Sequence, residues 1–156
     1  VSKNNSNKII FNYGVNGDLN DALSINYKKE LLTKELEMDG LTIMSFAMNE
    51  VSNSIGKFII KNKINLKKSY FCLHQPNKTI HNYLLQKFKI DKNNSISTYK
   101  YGNTSAGMIP LSLNEYFKNN KMVYKRFLIS GFGSGFLWAN VFINIKNTKF
   151  LGVKKL

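Results

Sequence analysis

Cysteine and histidine are scarce in this sequence. One cysteine (Cys72) and two histidines (His74 and His81) occur among 156 residues. A disulfide framework needs paired cysteines, and a structural zinc site draws four ligands mainly from these two residue types. The composition therefore excludes a disulfide framework and argues against a structural zinc site, so we expect no bound metal. A single free cysteine also fits a reducing cytoplasm.

Long hydrophobic runs are also missing. No apolar stretch approaches the roughly 20 residues that a membrane-spanning helix needs, so we expect no membrane segment. The first five residues have no apolar core and do not resemble a secretory signal. Hydrophobic residues nevertheless make up 43% of the chain and aromatic residues 13%, which is typical of one folded domain with a real core.

Arginine is nearly missing from a strongly basic chain. The formal net charge is +14, yet of the 23 lysine and arginine residues only Arg126 is an arginine. Base-specific DNA contacts favour the bidentate guanidinium group of arginine, and the lysines here form no long block. A nucleic-acid-binding domain is therefore the weakest hypothesis. We interpret the charge mainly as compositional drift, although it still attracts acidic partners in general.

Apolar periodicity predicts an alternation of helices and strands. Apolar residues recur at three- and four-residue steps over 41–61, which indicates a long helix with one buried face. Two further helices are predicted, one after Pro76 and one over 106–118, and His81 is expected on the exposed side of the first of these. Strands are predicted at 9–13, 70–73, 96–100, 126–130 and 136–145. The segment 22–37 is poorly patterned and is predicted as a surface excursion. This order indicates an α/β fold with a mixed β-sheet.

A histidine follows the short buried strand predicted at 70–73. Pro76 cannot continue that strand and suits the first turn of a helix, so His74 and Gln75 fall in the turn between. Open α/β sheets place their ligands at the carboxyl ends of strands. His74 is thus either a ligand-facing imidazole or a structural turn residue, and taken alone the second interpretation is favoured.

Two further motifs follow along the chain. Residues 101–106 (Tyr-Gly-Asn-Thr-Ser-Ala) form a small-residue corner, and residues 131–138 (Gly-Phe-Gly-Ser-Gly-Phe-Leu-Trp) form a glycine-rich turn. Taken alone, Asn103 is equally well explained as a cap of the helix that starts at Ala106. The glycine-rich turn alone is a tight hairpin, because a strand rather than the helix of a phosphate-binding loop follows it.

Together, the three motifs resemble the C-terminal half of the 3-oxoacyl-[acyl-carrier-protein] synthase III family. Its members show an HQxN turn, a GNTSA corner and a glycine-rich FGxGxxW turn in this order. The resemblance covers residues 11–145, with a disordered or strand-entry segment at 1–10 and a tail at 146–156 that has no family counterpart. It implies one half of a thiolase-like layered fold, with helices covering a mixed β-sheet.

The resemblance also implies a reaction. Family members condense an acyl-CoA primer with malonyl-[acyl-carrier protein] in a decarboxylative Claisen step, in fatty acid or related biosynthesis and without a cofactor. The nucleophilic cysteine lies in the family's first half, so this chain alone is expected to be inactive. Cys72 is no substitute, because it lies inside a predicted buried strand.

The partners implied are acyl carrier protein, acyl-CoA, the N-terminal half that carries the cysteine and a second full-length copy in a homodimer. No nucleic acid and no membrane is implied. The alternative hypothesis is a non-catalytic thiolase-like domain that binds a ligand or supports a dimer.

Residue roles follow from the resemblance only. His74 and Asn103 would donate hydrogen bonds to a thioester oxygen that gains negative charge. The backbone N–H groups of Gly133 and Ser134 would help to form a second oxyanion hole, although glycine is usual where Ser134 stands. Two more residues match pocket positions of the motifs: Asn77 and Phe132.

A carrier-protein docking surface is expected beside the first motif. Family members often carry an arginine at the position of Thr79, and that arginine assists docking. Lysines on or beside the same predicted helix, Lys78, Lys87 and Lys89, are the expected replacement, because a basic surface speeds encounter with an acidic carrier protein. A solvated helix face is the alternative explanation for these lysines.

Overall fold

Six strands occur in the described part of the chain, and four of them form one mixed sheet. The computed structural model describes residues 9–28, 33–119 and 125–145. The strands are β1 (Ile10–Val15), β2 (Leu23–Lys28), β3 (Thr33–Met38), β4 (Tyr70–Leu73), β5 (Lys125–Gly133) and β6 (Leu137–Ile145). The sheet has the order β1-β6-β5-β4, in which β4 and β5 are parallel and the other neighbours are antiparallel. The predicted α/β fold with a mixed sheet is confirmed.

Helices cover both faces of this sheet. The α-helices are α1 (Gly40–Phe46), α2 (Ser52–Lys61), α3 (Lys78–Lys87) and α4 (Met108–Asn119). A π-helical segment, Ala47–Val51, joins α1 to α2 without a break, so the long helix predicted over 41–61 is present as one helical stretch. Asp39 caps the start of this stretch: its side chain accepts hydrogen bonds from the backbone N–H groups of Leu41 and Thr42.

Two apolar clusters hold the layers together. On one face of the sheet, residues such as Ile55 of α2 and Leu84 of α3 pack with Phe71 and Leu128. On the other face, α4 buries Phe117 against Phe127 and against Cys72 of β4. Because β4 has buried side chains on both faces, its sequence is a continuous apolar run rather than an alternating one.

Within the described residues, strand β1 is covered on one face only. Asn12, on the face that packs against α2, is hydrogen-bonded to buried Asn140 at 3.0 Å. The residues on the opposite face, Phe11, Tyr13 and Val15, are exposed at 65%, 76% and 65%. Helix α4 lies over the β4–β5 side of this face and does not cover β1. An apolar strip therefore faces outwards at this edge of the sheet.

Three expectations about local structure are wrong or incomplete. The segment 22–37 contains an antiparallel hairpin, β2 and β3, whose Ile25 and Leu36 lie opposite one another and are both exposed. Residues 96–100 do not form a strand: a single parallel bridge joins Ser95 to Phe71, and a 3-10 turn follows. His81, expected at the surface, is only 1% exposed.

Within the described residues, none of the helices has the length and apolar character needed to cross a membrane.

Candidate active site

The parallel pairing of β4 with β5 builds the candidate site. His74 directly follows β4, and its backbone N–H donates to the carbonyl oxygen of Ser130 in β5 at 2.8 Å. The carboxyl ends of two parallel strands meet at the same edge of a sheet. Consequently the turn after β4 and the end of β5, Gly131 to Gly133, lie side by side although they are distant in sequence.

The imidazole of His74 is held in an apolar setting. His74 is 8% exposed, and the ring of Phe132 meets its ring edge-on at a centroid distance of 4.9 Å. Burial lowers the pKa of His74 below its ordinary value, so the ring is neutral near pH 7. Among the described residues, no side chain or backbone group is hydrogen-bonded to its ring nitrogens. The ring lines a cavity and remains available to a ligand.

Asn77 ends the turn that begins at His74. Its side-chain oxygen accepts a hydrogen bond from the backbone N–H of Ile80 at 2.9 Å, which caps the N-terminus of α3. Pro76, predicted in the first turn of the helix, instead lies one residue before this cap and outside α3. Both residues line the same cavity as His74.

Asn103 lies at a sharp corner of the backbone. Gly102 before it has a φ of +66°, a left-handed conformation that glycine adopts without strain. The side-chain oxygen of Asn103 accepts a hydrogen bond from the backbone N–H of Ser105 at 3.0 Å. That N–H belongs to the short 3-10 turn that leads into α4, so the capping interpretation and the ligand interpretation are compatible. The amide NH₂ of Asn103 is left for another partner.

The glycine-rich turn is anchored by an aromatic residue. Phe136 has a φ of +49°, which is strained for a bulky side chain, and its ring is only 2% exposed. The ring packs edge-to-face on Phe46 of α1 at 5.0 Å, and the carbonyl oxygen of Phe136 accepts from the N–H of Asn16 at 3.0 Å. These contacts hold the turn that contains Gly133 and Ser134.

One cavity of about 790 Å³ unites the predicted site residues. It is bordered by all six residues expected in the site or pocket: His74, Asn77, Asn103, Phe132, Gly133 and Ser134. Most of its remaining wall is apolar, and α1, the hairpin and the start of β6 contribute to it. Sequence reasoning missed Gly14 and Phe46 as wall residues, and no local pattern distinguishes them. Trp138 also lines the cavity, and its place at the end of the glycine motif was a signal for it.

The structure does not bring the three predicted docking lysines together. Lys78 is the first residue of α3, at the end beside the cavity, and its Nζ lies 5.6 Å from the centre of the Tyr99 ring. Lys87 is the last residue of this helix, so about 13 Å of helix axis separates the two. Its Nζ donates to Ser52 Oγ at 2.6 Å. Lys89 follows at the same far end, so only Lys78 lies near the cavity mouth.

Cys72 is buried, and its thiol is unreactive near neutral pH. It has no exposed surface, and burial raises the pKa of its thiol to about 12. A thiol with such a pKa contains almost no thiolate near neutral pH and is a poor nucleophile. In the described ranges, no group of three or more His, Cys, Asp or Glu side chains is arranged to hold a metal ion.

Known families provide the decisive comparison for this geometry. Residues 62–145 match the family described as the C-terminal domain of 3-oxoacyl-[acyl-carrier-protein (ACP)] synthase III. The chain belongs to this family. The matched span contains all three motifs and every residue predicted for the site.

Similar full-length proteins carry the corresponding name. A beta-ketoacyl-[acyl-carrier-protein] synthase III of Streptococcus agalactiae is 35% identical over 130 residues, which are 80% of this chain and 40% of that protein. The beta-ketoacyl-[acyl-carrier-protein] synthase III of Enterococcus faecalis is 32% identical over 117 residues, which are 72% of this chain and 35% of that protein. The chain thus spans well under half the length of these curated relatives.

Solved structures of synthases III share the fold. The 3-oxoacyl-[acyl-carrier-protein] synthase III of Aquifex aeolicus superposes with a TM-score of 0.78 at 24% identity, over 93% of this chain and 46% of the other. The synthase III of Pseudomonas aeruginosa gives a TM-score of 0.76 at 22% identity, over 86% of this chain and 43% of the other. The thiolase-like fold expected from the sequence is confirmed.

Proposed function

We propose that this chain is the C-terminal part of an enzyme that condenses an acyl-CoA primer with malonyl-[acyl-carrier protein], in fatty acid or related biosynthesis. The observation that carries the proposal is that His74, Asn103, Gly133 and Ser134 all line one largely apolar cavity. Several hydrogen-bond donors placed around one cavity are what a reaction with developing negative oxygen requires.

The first role of the site is to stabilise an enolate. When the malonyl thioester loses carbon dioxide, the electron pair of the broken C–C bond passes into the thioester, and its oxygen gains negative charge. The neutral imidazole N–H of His74 and the amide NH₂ of Asn103 donate hydrogen bonds to this oxygen. One such donor is typically worth about 3 kcal/mol of transition-state stabilisation. An amide does not titrate, so Asn103 acts as a donor and never as a base.

The second role is to stabilise a tetrahedral intermediate. The enolate carbon attacks the carbonyl carbon of an acyl group carried on a cysteine, and the cysteine thiolate leaves as the 3-oxoacyl product forms on the carrier protein. The backbone N–H groups of Gly133 and Ser134 donate to the intermediate's oxygen. The cysteine belongs to an N-terminal half outside this chain, because Cys72 is buried with a raised pKa. The scheme uses no cofactor.

The exposed apolar strip on β1 is consistent with contact to another part of the full-length protein beside this site. Phe11, Tyr13 and Val15 are exposed side by side on one face, and Leu137 of β6, opposite Val15, is 53% exposed. Contiguous exposed apolar side chains mark a contact surface. We place the N-terminal half against this strip, with the full-length protein forming a homodimer that receives acyl-CoA and then malonyl-[acyl-carrier protein].

The test compares two chemical steps in the full-length protein. His74→Ala and Asn103→Ala are each expected to slow malonyl decarboxylation about 10²- to 10³-fold, the typical loss for one oxyanion donor. Formation of the acyl-cysteine should remain largely intact, because neither donor serves that step. Carbon dioxide release measures the first step, and intact-protein mass spectrometry measures the second. Asn82→Ala, an exposed amide on α3, is the matched control.

Several outcomes would overturn the proposal. Unchanged decarboxylation in both variants would remove the enolate role, and loss of the acyl-enzyme in either would reassign the residue. Turnover by this chain without the N-terminal half would refute the assignment of the nucleophilic cysteine to that half. Carrier-protein binding without turnover in the unaltered full-length protein would favour the non-catalytic alternative.

A further inference from the structure

The side chain of Gln75, next to His74, is buried and bonded at both ends of its amide. Gln75 is 3% exposed. Its Nε2 donates to the carbonyl oxygen of Ile96 at 2.9 Å, and its Oε1 accepts from the backbone N–H of Thr98 at 3.2 Å. The amide therefore contacts alternate residues of one extended segment, as a neighbouring strand would.

That segment starts to pair with β4 and then leaves it. Ser95 and Phe71 form an isolated parallel bridge, and the N–H of Ile96 donates to the carbonyl oxygen of Phe71 at 2.8 Å. Only every second residue of a strand faces a given neighbour, so the next rung of a parallel ladder would use the peptide groups of Leu73. Its partners would be the Ile96 carbonyl and the Thr98 N–H.

Both of these partners are bonded to Gln75 instead. The Gln75 amide has the same donor and acceptor groups as a peptide unit and takes the place of one in the ladder. Because a side-chain amide, and not the backbone of β4, bonds to this segment, the strand predicted at 96–100 is not formed. The same bonds also mean that the chain before the Asn103 corner is joined to the residue next to His74.

The connection from Thr98 to Asn103 is short. Thr98 leads directly into the 3-10 turn Tyr99–Tyr101, and Gly102 and Asn103 follow. The hydroxyl of Thr98 is in turn hydrogen-bonded to the buried hydroxyl of Ser112 in α4 at 2.6 Å. The Gln75 amide is thus the side-chain link between the turn of His74 and the segment that ends at Asn103.

We propose that Gln75 is a positioning residue that sets the separation of His74 and Asn103. The inference rests on the proposed function, in which both side chains donate to one thioester oxygen. Both donors must lie about 3 Å from that oxygen at once, and a misplacement of about 1 Å can cost on the order of 100-fold in rate. Gln75 itself touches no substrate in this scheme.

A substitution pair separates positioning from general stabilisation. In the full-length protein, Gln75→Leu is expected to lower the kcat of malonyl decarboxylation about 10- to 100-fold with little change in KM. In Gln75→Glu, a carboxylate would oppose the Ile96 carbonyl, whereas the protonated acid can donate to it. Burial raises a carboxyl pKa, so the rate of this variant, relative to the unaltered protein, should recover between about pH 8 and about pH 5.5. Gln75→Leu should show no such recovery.

A double-mutant cycle with Asn103 provides the deciding measurement. If Gln75 acts through Asn103, Gln75→Leu should have almost no further effect once Asn103 is alanine. A full additional loss in the Asn103→Ala background would overturn the positioning role, as would an absence of pH recovery in Gln75→Glu. If Gln75→Leu does not fold, the pH profile of Gln75→Glu decides by itself.

The two proposals fail in distinguishable ways. If His74→Ala and Asn103→Ala leave decarboxylation unchanged, the proposed function fails, and the positioning role fails with it. If these two variants are impaired and both Gln75 variants match the unaltered protein, only the positioning role fails.

Discussion

The imidazole of His81 and the phenol of Tyr99 are hydrogen-bonded to each other inside the protein, where α3 meets the 3-10 turn before Asn103. The second ring nitrogen, Nε2, lies 3.2 Å from Ser95 Oγ. Hydroxyl groups can donate or accept, so both nitrogens of a neutral imidazole are satisfied. Burial lowers the pKa of His81 to about 4.

The buried His81 predicts a loss of stability in mild acid. The unfolded chain takes up a proton at this imidazole near its ordinary pKa of 6.5, whereas the folded chain does so only near 4. The free energy of unfolding should therefore fall as the pH drops below 6.5, by on the order of 1–2 kcal/mol between pH 7 and pH 5. The pKa of His74 is also lowered by burial and acts in the same direction.

Urea unfolding midpoints at pH 7 and pH 5 test this prediction. His81→Gln, which cannot titrate, should have a clearly smaller difference between the two midpoints. An unchanged difference would show that His81 is not the group responsible.

A close packing contact predicts that alanine is not tolerated at position 14. A Cβ on Gly14 would lie 2.3 Å from Cζ2 of Trp138, so the indole would have to move. Overpacking of this kind typically costs about 1–3 kcal/mol. Trp138 is the only tryptophan of the chain, so its fluorescence reports the movement directly.

Gly40→Ala is the matched control for Gly14→Ala. A Cβ on Gly40 would meet nothing within 4 Å, and alanine favours the helix that begins there. Thermal unfolding should show a loss for Gly14→Ala alone. Equal stability of the two variants, with an unshifted emission maximum, would contradict the packing seen here.

The buried Cys72 predicts a thiol that reacts only on unfolding. With a pKa of about 12 and no exposed surface, it should resist a disulfide reagent at pH 8 in the native protein. It should react fully in denaturing urea. Absorbance of the released thiolate measures the rate, and peptide mapping locates the label. Rapid stoichiometric labelling of Cys72 without denaturant would refute this.

The placement of the lysines predicts unequal effects on carrier-protein docking. Lys78 lies at the cavity end of α3, whereas Lys89 lies beyond its other end. In the full-length protein, Lys78→Glu should weaken affinity for an acidic carrier protein and reduce its salt dependence, because local charge complementarity is lost. Lys89→Glu makes the same change in net charge and should have little effect. Equal effects of both, measured by calorimetry at two salt concentrations, would mean that only net charge matters.

Strong local patterns allowed much of the fold to be predicted. The apolar stripe over 41–61 identified the α1–α2 helix, because a buried helix face repeats every three to four residues. The apolar run at 70–73 and the following Pro76 located β4 and the start of α3. The hairpin of β2 and β3 was missed although a signal was present: the apolar residues of β2, such as Leu23 and Ile25, alternate with polar ones, which is the two-residue period of a strand.

Elements whose partners are distant in the chain could not be predicted. Nothing local to 96–100 indicates that the Gln75 amide occupies the next rung beside this segment. Likewise, the stripe on α3 identifies apolar residues only, so it placed His81 outside. The hydroxyls of Tyr99 and Ser95 make its burial possible, and they are supplied by another segment.

The family, the alternation of helices and strands, and the residue types at the site can be read from the amino-acid sequence, because they depend on composition, spacing and short motifs. Which residues meet is a property of the folded chain. Parallel pairing of β4 with β5 brings His74 beside Phe132, and folding around Gln75 joins the Asn103 segment to the same edge. The structure also showed that, of the three lysines predicted for carrier-protein docking, only Lys78 lies near the cavity. Such contacts depend on long-range pairing and burial, which local sequence patterns do not encode.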